Sequence, residues 1–84
     1  MYTRMKPKTY TTYEELQMVA IPEDIPELGV KTGAMGTIAT VYAEGLMLDI
    51  EVSREDGSTV GFVDLKVGED GSLSLVAYTP LDSR

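Results

Sequence analysis

The chain has 84 residues, with fourteen Asp and Glu against seven Lys and Arg for a net charge of −7, and it contains neither His nor Cys. A chain this short makes one domain and buries only about 60 to 65 % of the surface its unfolded form exposes, so the core is thin and no disulfide reinforces it. Without His or Cys the usual zinc ligands and the usual general base near neutral pH are missing, which excludes ordinary zinc sites and nucleophile-His triads and leaves an enzyme only carboxylates, Tyr, Lys and Arg to work with.

Residues 1–10, "MYTRMKPKTY", hold Arg4, Lys6 and Lys8 without an apolar period and read as a flexible N-terminal arm. No apolar block follows, so the stretch does not read as a secretory signal. Nowhere does an apolar run approach the ~18 residues of a membrane span, and the expected location is cytoplasmic. From residue 9 onward four basic residues face all fourteen acids, a balance of −10. A body of that sign repels phosphate backbones, so nucleic-acid binding is not expected of it; only the basic arm offers such a route.

In "TTYEEL", Thr12 and Glu15 stand at capping-box spacing and predict one short helical turn. Met18 to Ile21 follow as a short buried strand, and Pro22 and Pro26 stop any helix beyond it. The segment "PEDIPELGVKTG" is then a long first loop: Pro26 sets φ for a turn and Gly29 suits a left-handed residue. Gly33 and Gly36 bracket the residues ahead of an apolar strand. There they let the chain turn sharply and let another strand cross close above it.

Thr37 to Ala43, "TIATVYA", is β-branched and aromatic and predicts the second strand, with Glu44 and Gly45 as its turn. "LMLDIEVS" alternates, Leu48, Ile50 and Val52 on one face and Asp49, Glu51 and Ser53 on the other, the clearest strand signal in the chain. Asp56-Gly57 and Asp70-Gly71 are hairpin signals on either side of "TVGFVDLKV", residues 59–67, and "LSLVAY" closes the series before Pro80. Close-spaced strands joined by tight turns predict an all-β fold, a small five-stranded antiparallel SH3-like barrel over residues 11–80 with a tail at 81–84.

The same residues resemble a family of small, uncharacterised bacterial proteins. Asp24, Pro26, Gly29 and Val30, then Gly33, Gly36, Thr37 and Ile38, fit its pattern D-x-P-x-x-G-[LV]-x-x-G-x-x-G-T-[IV], and Ile50, Glu51 and Val52 fit its third strand. The likeness covers about residues 16–65; Gln17 stands where that family tends to have Asp, and the N-terminal arm has no counterpart in it. The resemblance implies a fold and no activity. A more distant likeness, a loop ending in Gly-x-x-Gly ahead of an apolar strand, is to the SH3-like barrels of the nitrile hydratase β subunit and of KOW type; such barrels serve as accessory subunits, nucleic-acid binders and peptide binders alike.

No familiar ligand motif is complete in this sequence. Gly33 and Gly36 lack the Lys-Ser/Thr of a P-loop and the third glycine of a dinucleotide fingerprint, and they precede a strand rather than joining the two helices of a KH clamp. "REDGS" and "GEDGS" lack the spaced oxygen ligands and distal Glu of an EF-hand. No cofactor or metal is expected.

Two sets of residues remain as partner-binding candidates. Glu23, Asp24 and Glu27 lie in the loop with which SH3 domains grip partners, and can attract Lys or Arg on a peptide. Tyr42 and Tyr78, with Phe62, can build an aromatic platform, although core and rim packing explains them as well. The leading expectation is a non-enzymatic module that binds another protein or a second copy of itself through the long loop or an edge strand. A nucleic-acid-associated barrel using the basic arm, and an acidic antitoxin-like or immunity protein, are the alternatives.

Overall fold

Alternation of apolar and polar residues becomes five strands in the computed structural model, which describes residues 13–81: β1 (Met18–Ala20), β2 (Met35–Tyr42), β3 (Met47–Ser53), β4 (Thr59–Val67) and β5 (Leu73–Pro80). Each pairs antiparallel with the next, giving one sheet in the order β1-β2-β3-β4-β5. The all-β, five-stranded antiparallel fold is therefore as the sequence predicts, with β4 on the predicted boundaries. β1 and β5 are the two edges and do not pair with each other, so the curled sheet stays open. The expected arm at 1–10 falls outside the described residues, as do 82–84 of the expected tail. No described helix is long and apolar enough to cross a membrane.

Register decides which face is buried. Ile38 of β2, Leu48, Ile50 and Val52 of β3, and Val63, Leu65 and Val67 of β4 all point inward and are closed to solvent, while Asp49, Glu51, Phe62 and Asp64 lie on the outer face. A sheet with one apolar face needs a cover. Here the cover is the long loop, which contributes Ile21, Ile25, Leu28 and Val30 to the twelve-residue core. Full burial of each such side chain is worth roughly 1.5 to 3 kcal/mol, so the loop is a structural layer. Its prolines and acids obscure an apolar rhythm that the sequence reading passes over.

The loop has its own local order. Ile25 and Val30 exchange backbone hydrogen bonds of 2.8 and 3.1 Å around a single 3-10 turn, Pro26–Leu28, in which Pro26 takes the first position and Gly29, at φ 70°, closes the end. At its base Ile21 donates to the Ala34 carbonyl (2.7 Å) and Gly33 to the Ile21 carbonyl (2.8 Å), extending the β1–β2 ladder.

The two glycines that follow do different jobs. Gly33 sits at φ 92°, in the left-handed region that other residues resist, and turns the chain into β2. Gly36 has ordinary strand geometry, but the Ile50 side chain of β3 lies over it and the Glu51 carbonyl would be 3.1 Å from an added Cβ, so here it is the absence of a side chain that matters. The glycines of the two Asp-Gly turns, Gly57 and Gly71, have positive φ as those signals predict. In both hairpins the preceding Asp accepts from the backbone N–H of the Ser two residues on, Asp56 from Ser58 and Asp70 from Ser72, each at 2.9 Å.

One local expectation gives way. Residues 14–17 form a turn closed by Gln17 N–H to the Glu14 carbonyl at 3.2 Å, and Leu16 within it has φ 75°, which stops a helix from starting. Thr12, the proposed cap, lies outside the described residues, so its partnership with Glu15 does too. The short helical pieces lie elsewhere, at Pro26–Leu28 and at the Ala43–Gly45 turn between β2 and β3. Tyr13, not singled out by sequence, packs against the core and donates its hydroxyl to the Gly71 carbonyl at 2.6 Å, tying the segment before β1 to the turn before β5.

Candidate functional site

The three acids of the long loop meet different fates. Asp24 is occupied: one carboxylate oxygen accepts from both the backbone N–H and the hydroxyl of Thr32, each at 2.8 Å. These bonds, with Lys31 nearby, hold its carboxyl below the usual carboxylate range. Glu27 lies against the Tyr78 hydroxyl, and that contact raises the phenol above its ordinary value, with desolvation adding to it. Glu23 is exposed. Asp24 thus ties the loop to itself, and Glu27 lies beside Tyr78 of β5, consistent with the loop's role as cover.

Tyr42 and Tyr78 do not share a surface. Tyr78 pairs with Val63 on the inner face, partly buried at the rim of the core. Tyr42 pairs with Met47 on the outer face, 40 % exposed, next to Asp49 and Asp64. Phe62 also lies on the outer face, between Glu51 of β3 and Thr79 of β5. The single aromatic platform is not assembled; Tyr78 belongs with the loop and Tyr42 with a pair of carboxylates.

That pair was invisible to a strand-by-strand reading. Asp49 and Asp64 stand directly opposite each other on β3 and β4, in a cross-strand row that runs Thr40, Asp49, Asp64, Ala77 from β2 to β5. Like charges in facing positions destabilise a sheet. Desolvation and then the neighbouring Asp64 carboxylate push the Asp49 carboxyl up, and desolvation followed by the two carboxylates does the same to the Tyr42 phenol. Lys66, in the next row opposite Met47 and Ser74, is a nearby cation on this face. Pairing partners had to be known before the two acids could be seen as neighbours.

β5 is the other feature the sheet leaves unsatisfied. Its sequence, "LSLVAYTP", carries no charged residue. One side pairs with β4 along its whole length, while no other backbone partner of residues 73–80 occurs among the described residues. A register shift places Val76 as an extra residue between Leu75 and Ala77, and it is 54 % exposed. Edge strands are normally blunted by charge, Pro, brevity or bulges; β5 has the bulge and a terminal Pro80 but eight uncharged residues.

A shallow groove of about 660 Å³ opens at one end of the sheet, floored by Leu28, Val30, Val52 and Val60 with Lys31 and Arg54 at its margin. Arg54 is engaged there by the Ser58 hydroxyl at 3.1 Å. No cluster of three or more acidic side chains placed to hold a metal ion occurs among the described residues.

An open five-stranded antiparallel sheet capped by its own loop, with a long uncharged edge strand in β5, defines the structural class. The chain belongs to the family described as Domain of unknown function (DUF4926), whose model matches residues 15–69. The match spans β1 to β4 and the long loop, and ends before β5. No curated protein matches the chain, and no solved structure matches it.

Proposed function

We propose that the protein is a non-enzymatic binding module of the bacterial cytoplasm that takes an extended segment of another polypeptide, or of a second copy of itself, onto the free edge of β5. The observation that carries the reading is the eight-residue uncharged edge with Val76 exposed at its centre. Strand addition uses backbone hydrogen bonds for affinity and alternate side chains for specificity, so such an edge needs no pocket. The distant likeness to SH3-like barrels, which include peptide binders, agrees with this use. Between the two routes foreseen from sequence, the edge is favoured over the long loop, because Asp24 is already engaged by Thr32 inside the chain.

The test presents the full chain, labelled for NMR, with synthetic eight-residue peptides of alternating Val and Thr, alongside sedimentation of the chain alone over a range of concentrations. Shifts concentrated on β5 amides, or a dimer abolished by Val76→Lys, support the proposal. Peptides that leave β5 unmoved, together with a monomer at every concentration, overturn it.

A further inference from the structure

We infer that the segment added to β5 comes from a different protein and carries a Lys or Arg opposite Ala77, reaching over that residue to Asp64, the nearer member of the Asp49–Asp64 pair. This rests on the edge reading above and names its partner.

The register puts the pieces in line. Asp49, Asp64 and Ala77 occupy facing positions on β3, β4 and β5. A strand added beyond β5 places one outward side chain next in that row. Neighbouring strands lie about 4.8 Å apart, so its Cα stands roughly 10 Å from that of Asp64. A Lys stem spans roughly 6 Å and lies comfortably along apolar surface, and the methyl group of Ala77 leaves the path clear. Bulkier residues at 77 would block it.

Charge selects the partner. The row holds two carboxylates and no cation, so a Lys or Arg arriving there relieves a repulsion already present in the free sheet. A second copy of β5 brings only Leu, Ser, Val, Ala, Tyr, Thr and Pro, none of which can do this. Two copies also bring together two chains of net charge −7. The free edge supplies the general affinity for a strand, and the acidic row discriminates among strands.

The experiment compares three otherwise identical Val/Thr peptides with Lys, Gln or Glu at one central outward position, titrated into the full chain at low salt. The Lys peptide is expected to bind about fivefold more tightly than the Gln peptide, with the Glu peptide weakest, and the difference should shrink in high salt. Its binding should shift the side-chain carboxyl signals of Asp49 and Asp64 as well as β5 amides. Asp64→Asn in the protein should erase the Lys preference while leaving the Gln peptide bound as before, and Ala77→Leu should weaken the Lys peptide most. Equal binding of all three peptides at β5 overturns this inference and leaves the edge reading standing. A β5-mediated homodimer that excludes every peptide overturns it as well, since the occupant is then the second copy. If no peptide touches β5 and the chain stays monomeric, the edge reading fails and takes this one with it.

Discussion

Two backbone positions and a few carboxylates set the local terms of this fold. Replacing Gly36 by Ala drives a methyl into Ile50 and the Glu51 carbonyl, and equilibrium urea unfolding should register a loss of about 1 to 3 kcal/mol. Gly33→Ala, where space is open and only the positive φ is strained, should cost about 1 kcal/mol. The Gly-x-x-Gly spacing hides this difference, which for Gly36 depends on Ile50, a residue fourteen positions downstream. Gly61 is a case the sequence reading missed outright: a Cβ there would meet the Thr79 carbonyl at 2.6 Å and Leu28 at 3.1 Å, contacts that exist only after β5 and the loop have come in. The carboxylates divide by sign. Asp24, Asp56 and Asp70 have carboxyls lowered by their Ser and Thr donors, so each adds stability that is present above the unfolded carboxyl range and is lost as pH falls through the folded value. Asp49 is raised, so its difference runs the other way: the favourable part is present below the unfolded value and is lost as pH rises through the folded one. Asp49→Asn should therefore stabilise the protein at neutral pH, with the gain fading as pH falls and the native carboxyl takes up its proton. Urea midpoints of both proteins between pH 3 and pH 7 check this, and a gain that does not shrink toward acid would contradict it.

At the scale of elements, strands were legible and their cover was not. "LMLDIEVS" and "TVGFVDLKV" announce themselves because period-two alternation and Asp-Gly turns are local signals. The loop is different: Ile25, Leu28 and Val30 follow neither a strand nor a helix period, and proline and acids around them suggest solvent, yet all three are buried, beside Ile21, whose burial the sequence predicts. Leu28→Ala or Ile25→Ala should cost about 2 to 5 kcal/mol, close to the cost expected for Ile50→Ala in β3, whereas a wet loop would tolerate either. Thermal unfolding of the three variants distinguishes the two views. The partner-binding candidates fared similarly. Tyr42 and Tyr78 were visible as residues, but their faces follow from register shifts at Ile38/Thr40 and Asp64/Leu65, which composition does not encode. For β5 the expected effect of Val76→Lys is a change within about 0.5 kcal/mol in stability, since the side chain is exposed, joined to loss of strand capture.

Among the described residues the molecule is a thin, acidic sheet whose inner face is closed by its own loop and whose β5 edge has no backbone partner beyond β4. The family model ends at residue 69, so β5 lies beyond the matched part of the chain. The proposed recognition by backbone and charge draws on the acidic balance and on the β5 edge. That claim stands on β5 having one unpaired side in the free protein. Residue-resolved amide hydrogen exchange on the dilute full chain tests it most directly. The account predicts that β5 amides directed away from β4 exchange orders of magnitude faster than those of β3 and β4, and slow when a Lys-bearing Val/Thr peptide is added. Uniform protection of every β5 amide in the dilute chain, unchanged by peptide, would mean that the edge is already covered and would contradict it.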